Sequence, residues 1–214
     1  MSYKDSRFAE NTNYWHRFIT EGEYNIPVLN PQDYIYIYTE FVGFNYARTA
    51  KDKKSKGIHF FLDDYQFERV WREPMTYTEL LSQFNCVMTP DFSLFTDYPK
   101  ALQIYNHWRK QWLGALWQTL GIKVIPTLAW SDKDSFKWCF DGVPKGATVA
   151  VSSVGTQQAK DTKNLFLEGW FEMLDRLSPE TIIFYGNIPK ECMGNIVRIK
   201  PFQEKFKEVK TDGR

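Results

Sequence analysis

The chain has 214 residues, 43% hydrophobic and 25% charged, and its 27 Lys and Arg nearly cancel 26 Asp and Glu, leaving a formal charge of +1. That length buries a substantial core within one domain, and the composition excludes extended disorder away from the ends. No general basic field is available to hold a nucleic-acid backbone, so nucleic-acid partners are disfavoured.

Cys86, Cys139 and Cys192 lie far apart and form no Cys-x-x-Cys pair. That argues for reduced thiols in a reducing compartment and against zinc or iron–sulfur centres. The first residues contain no apolar leader segment, and no run approaches the roughly 18 apolar residues of a membrane span. The expectation is a cytoplasmic protein without a membrane partner. Aromatic residues reach 17%; most belong in a core, and a minority are available to line a cleft.

Residues 1–30 read as an N-terminal arm packed on the domain, with Phe8, Trp15 and Phe18 on one helical face and Ile26-Pro27-Val28 as an extended lead-in. Residues 31–200 read as a single α/β domain and 201–214 as a flexible, Lys-rich tail. Residues 34–44 alternate Tyr, Ile and Val with polar residues and form the first strand candidate. The basic stretch 47–56 reads as a solvated connection rather than a phosphate loop.

Residues 58–62 are apolar on both faces, as in a buried parallel strand, and end in Asp63-Asp64. Residues 66–71 look helical until Pro74, after which Thr76-x-x-Glu79 offers a capping box that restarts a helix through Phe84. A short strand over 86–89 exits into Pro90-Asp91-Phe92-Ser93. Asp97 and Pro99 then open a long helix whose Tyr105, Trp108, Trp112, Ala115 and Leu116 recur at helical spacing until Gly121 stops it.

Residues 122–128 give the clearest strand and exit into Ala129-Trp130-Ser131-Asp132, where Ser131 or Asp132 can cap a short helix through Trp138. A strand over 147–151 exits at Ser152-Ser153, a helix spans 165–177, and strands follow at 181–185 and 196–199.

Strand then helix in repetition implies a parallel sheet. The predicted fold is α/β, a partial or irregular TIM-like barrel of about six strands, with an open doubly wound sheet as the alternative. The chain contains no Gly-x-Gly-x-x-Gly, Walker A or Gly-x-Ser-x-Gly motif.

If the strands are parallel, their exits share one rim. Asp63, Asp64 and Asp91 are the candidate catalytic residues there. Asn45, Ser93, Trp130, Ser131, Ser153 and Tyr185 are the candidate binding residues. Carboxylates sharing a low-dielectric cleft cannot all ionise cheaply. Either one pKa rises and supplies a general acid, or a cation such as Mg²⁺ neutralises the group. Trp130 and Tyr185 could stack a sugar or nucleobase while the serines bond its polar edge.

The competing reading makes Asp64, Asp91 and Ser131 helix caps, a role that two adjacent carboxylates cannot share at one helix. His59 reads as an interior strand residue facing the same way as Asp63, and Arg109 as a surface or inter-helix ion partner rather than an anion clamp.

Four ordered blocks carry a resemblance. They are Ile58-His59-Phe60-Phe61-Leu62-Asp63-Asp64-Tyr65 with its continuation to Trp71, then Thr89-Pro90-Asp91-Phe92-Ser93-Leu94-Phe95, then Gly121-Ile122-Lys123-Val124-Ile125-Pro126-Thr127 with Trp130, and Cys139-Phe140-Asp141-Gly142. Together they resemble the uncharacterised bacterial and bacteriophage family called domain of unknown function 4417. The resemblance implies a phage or mobile-element setting in a bacterial host cytosol, and it brings no activity and no catalytic residue.

Three functions remain, the first two equally favoured. The first is an enzyme hydrolysing or transferring a sugar- or nucleotide-like molecule. The second is a non-catalytic protein that sequesters a host metabolite or nucleotide signal, or binds and redirects a host protein. Nucleic-acid processing is the weakest.

Overall fold

A computed structural model describes residues 18–32, 39–156 and 159–199. The chain enters through a short antiparallel pair, β1 (Thr20–Glu21) and β2 (Ile26–Pro27). Ile26 and Leu29 are buried, and Asn30 exchanges two 2.9 Å hydrogen bonds with the Gln118 side chain. Phe8, Trp15 and residues 34–38 of the expected first strand lie outside the described residues.

The main elements follow as β3 (Glu40–Gly43), β4 (Lys56–His59), α1 (Glu68–Arg72), α2 (Pro74–Leu81), β5 (Cys86–Met88) and α3 (Lys100–Thr119). Next come β6 (Val124–Ile125), β7 (Thr127–Leu128), β8 (Thr148–Ser152), α4 (Lys160–Leu177), β9 (Thr181–Tyr185) and β10 (Ile196–Ile199). One four-stranded sheet runs β3-β4-β5-β6, the other β7-β8-β9-β10, and every neighbouring pair within them is parallel.

The expected strand 122–128 is split by Pro126, which has no N–H to offer a ladder. Two buried threonines bridge the break. Thr127 N–H donates to Thr89 Oγ1 and Thr127 Oγ1 donates to the Thr89 carbonyl, both at 2.8 Å. Strand order in space therefore follows chain order from β3 to β10.

The strands' two faces are packed differently. Ile58, Phe60, Val87 and Val124 pack with α1, α2 and α3, and Val149, Val151, Ile182 and Phe184 pack with α4. On the opposite face Phe41, Phe61, Met88, Ile125, Ile183 and Tyr185 belong to a third cluster that contains no helix residue. The rings of His59 and Tyr185 lie 4.9 Å apart although their strands belong to different sheets, so the two sheets curl toward each other. Among the described residues no pairing joins β10 to β3. Among the described residues the strands close no barrel, and an open parallel α/β sheet with helices gathered on one face fits.

Several local expectations shift. α2 begins on Pro74 itself, at the position where a missing N–H costs nothing, and no capping box forms at Thr76. Pro99, not Asp97, precedes α3, with no side-chain cap. Gly121, at φ +78°, takes the left-handed turn that ends it. Of Ser131 and Asp132 only the latter caps: Ser135 N–H donates to Asp132 Oδ1 at 2.9 Å.

The larger surprise is in α3. Trp112, Leu113, Leu116 and Trp117 bury an apolar face as expected. Gln103, Asn106, His107, Lys110 and Gln111, at the same three- and four-residue spacing, bury a polar one.

All three cysteines are free and buried. Among the described residues no helix is long and apolar enough to cross a membrane.

Candidate functional site

The residues leaving β3, β4, β5, β7 and β8, with the last residue of β9, surround one cleft of about 890 Å³. It lies where parallel strands release their chain ends, so each exit loop contributes a few side chains to a shared wall. Asn45, Asp63, Asp91, Ser93, Trp130, Ser131 and Tyr185 line it. Asp64 and Ser153 are not among the lining residues.

The three aspartates have distinct surroundings. Asp63 is exposed at the start of the turn Asp64–Gln66 and receives a long 3.4 Å bond from Gln66 Nε2. Asp64 is committed: Ser93 N–H and Ser93 Oγ donate to its two carboxylate oxygens at 3.1 and 2.9 Å. It thereby ties the exit of β4 to that of β5, and it caps no helix. Burial raises its pKa, against the Ser93 bonds and the Arg109 charge that lower it.

Asp91 is half-buried and makes no hydrogen bond to a described residue. Burial pushes its carboxyl up to about 7, the nearby Lys110 charge opposes this, and Asp64 adds to it. Near neutrality the group therefore populates both protonation states.

Lys110 lies behind Asp91. Its side chain is 1% exposed, and Nζ has no hydrogen-bond partner among the described residues. Burial lowers its pKa, while Asp91 and Cys139 favour the charged form. Around it Asn106 Nδ2 donates to the Ser93 carbonyl at 2.7 Å and holds the β5 exit from behind. His107 Nε2 lies 3.0 Å from the Asp141 carbonyl and Gln111 Nε2 donates to the same oxygen at 3.2 Å. Burial drives the His107 pKa well below its usual range, so its imidazole is neutral and Nε2 carries the proton.

Arg109 is an inter-helix partner, with Nη1 2.9 Å from both Glu68 oxygens and its guanidinium 3.6 Å from the Phe92 ring centre. The sequence reading passed over Lys110, His107 and Gln111 as site residues. Their helical spacing in register with the buried stripe was the available signal.

The rings form a wall. Tyr185, 8% exposed, stacks on Phe61 with centroids 4.9 Å apart. Trp130 lies 5.2 Å from Phe166 and against Gly169 of α4, where any Cβ would overlap the indole. Ser131 is buried, and its hydroxyl has no partner among the described residues. Ser153 is instead structural, donating from Oγ to the Asn187 carbonyl at 2.7 Å. Ser152, its neighbour, is the one that lines the cleft, as alternation along β8 requires.

Among the described residues no group of three His, Cys, Asp or Glu side chains could hold a metal ion. A site for Mg²⁺ at Asp63, Asp64 and Asp91 is not assembled, since Asp64 is held by Ser93. Thiolate chemistry is also disfavoured, because burial pushes Cys86, Cys139 and Cys192 up to about 12.

The fold and cleft define a parallel α/β protein with a strand-end site of mixed carboxylate and aromatic character. The chain belongs to the family described as Domain of unknown function (DUF4417), which it matches over residues 18–203. It is similar to the Gene 1 protein of Mycobacterium phage L5, 42% identical over 171 residues that cover 80% of this chain and 75% of that one. It is also similar to the Gene 1 protein of Mycobacterium phage D29, 40% identical over 173 residues covering 80% of this chain and 63% of that one. The chain thus spans less than two thirds of the D29 protein. No solved structure matches it.

Proposed function

We propose that the strand-end cleft binds a small ring-bearing molecule, sugar- or nucleoside-like, and hydrolyses or transfers it with Asp91 moving the proton. The observation that carries this reading is Asp91 itself, a cleft-lining carboxyl without a hydrogen-bond partner among the described residues and pushed up to about 7. A group poised at the working pH can both give and accept a proton, which is what general acid–base catalysis needs. Asp63, exposed on the same wall, is the second carboxylate. Asp64 positions Ser93 and does not touch the ligand. Trp130 and Tyr185 supply stacking surface, and Asn45 and Ser131 supply polar contacts.

Sequential strand order and the helix-free inner cluster support a partial TIM-like barrel as the frame, with its site at the strands' C-terminal ends. The phage relatives support action in a bacterial host cytosol. The test is turnover of a panel of glycosides, nucleosides and nucleotides by the native protein and Asp91→Asn. Loss of turnover with an unchanged circular dichroism spectrum is expected, and equal turnover overturns the assignment.

A second reading follows from Asp64 and Ser93 being occupied with each other, which leaves few groups for chemistry. In it the cleft sequesters a host metabolite, or the protein redirects a host protein, without turnover. It predicts a retained ligand, visible by mass spectrometry of the purified protein, that no variant converts.

A further inference from the structure

We propose that the ligand of this cleft is a cation: a ring-bearing amine or quaternary nitrogen seated among the aromatic side chains with its charge toward Asp63 and Asp91. The inference rests on the cleft being the ligand site, as proposed above, and names the chemical class it takes.

The overall charge of the chain is balanced, 27 basic against 26 acidic residues, but the cleft is not. Its described lining includes Glu40, Asp63 and Asp91 and contains no Lys or Arg. The nearby basic groups are placed elsewhere. Lys56 pairs with Glu40 at 3.5 Å, Arg109 pairs with Glu68, and Lys110 lies behind Asp91 rather than on the lining. A phosphate or carboxylate entering here meets the carboxyl groups of Asp63 and Asp91, with no Lys or Arg among the described lining residues to offset them. A positive ligand meets the reverse.

The walls have the same preference. Tyr46, Phe61, Phe95, Trp130, Phe166 and Tyr185 reach the cleft from six separate segments. The face of an aromatic ring is electronegative and attracts a cation that has shed its water. Ser131 adds an independent mark. Its hydroxyl is on the lining residue yet enclosed, at 3% residue exposure, with no partner among the described residues. A buried hydroxyl is ordinarily paired, and an ammonium N–H would satisfy its oxygen. A methylated nitrogen would satisfy only the rings and the carboxylates, so affinity for primary and quaternary amines separates these contributions.

The experiment titrates the native protein with benzylamine, benzyltrimethylammonium, benzyl alcohol and phenyl phosphate, followed by tryptophan fluorescence or ¹H–¹⁵N spectra at constant ionic strength, because screening acts on the charged probes alone. Both cations are expected to bind at least about tenfold more tightly than benzyl alcohol, and phenyl phosphate not to saturate. Asp63→Asn, at an exposed position where folding is secure, and Asp91→Asn are each expected to weaken the cations by about threefold to tenfold and to leave benzyl alcohol unchanged. Equal or tighter binding of the neutral or anionic probe overturns the inference. So does absence of saturable binding by either cation, or cation affinity that neither variant changes. Those results leave Asp91 as the proton-transfer group, which is decided separately by turnover of the Asp91→Asn protein.

Discussion

The exits of β4 and β5 each deliver an aspartate to nearly the same place, and the two are used differently. Asp64 is held by the backbone and hydroxyl of Ser93 and stitches one exit to the next. Asp91 receives no hydrogen bond from a described residue and has only the enclosed Lys110 charge for electrostatic relief. Identical side chains thus acquire a structural and an available role from their partners alone. An acidic residue at a strand end is a candidate by position, and its hydrogen bonds decide whether it is free to act.

Substitutions can break that contrast. The largest expected effect is on turnover: Asp91→Asn should lower it by about 100-fold or more, whereas Asp64→Ala should lower it far less, measured on whichever substrate the panel yields. On stability the order reverses. Asp64→Ala strips two bonds to a charged acceptor and should cost about 2 kcal/mol in urea unfolding.

Asp91 should weaken the native protein instead, in a pH-dependent way. Its pKa rises from 3.8 to about 7 on folding, so the native state holds the proton more tightly than the unfolded chain. Its contribution is therefore most favourable below the unfolded pKa and is lost as pH climbs toward 7. Asp91→Asn should accordingly stabilise the protein more at pH 8 than at pH 4, with the difference growing up to about pH 7 and levelling off above it, seen as a changed slope of unfolding free energy against pH.

The smallest effect sharpens the electrostatic side. Removing the Lys110 charge as Lys110→Met should raise the Asp91 pKa further, by about one unit, read from the carboxyl ¹³C shift. Little loss of stability is expected, because a buried amine without a hydrogen-bond partner among the described residues leaves with it.

Much of the frame was legible. Residues 181–185 and 196–199 matched β9 and β10, because short β-branched runs bounded by turn residues have few alternatives. Alternation from His59 put Phe61 and Asp63 on the cleft side, where all three line it. Other features depended on long-range contacts. Nothing local announces that Thr89 and Thr127 will carry the sheet past Pro126. The buried polar face of α3 was not anticipated, since glutamine, asparagine and lysine on a helix usually face solvent. Burial of Gln103, Asn106 and Lys110 depends on carbonyls and charges from the 91–98 loop that only the folded chain supplies. Ser153 was misplaced by one residue, the margin at which a strand turns a side chain from one face to the other.

The break at Pro126 divides more than a strand. The largest apolar clusters fall mostly on either side of it, one under α1 to α3 and the other under α4 with Leu94 reaching across, and a two-threonine clasp bridges the break. The cleft takes walls from both. Occupancy would therefore fasten one half to the other, and slow amide exchange would spread across both halves together when the molecule is loaded.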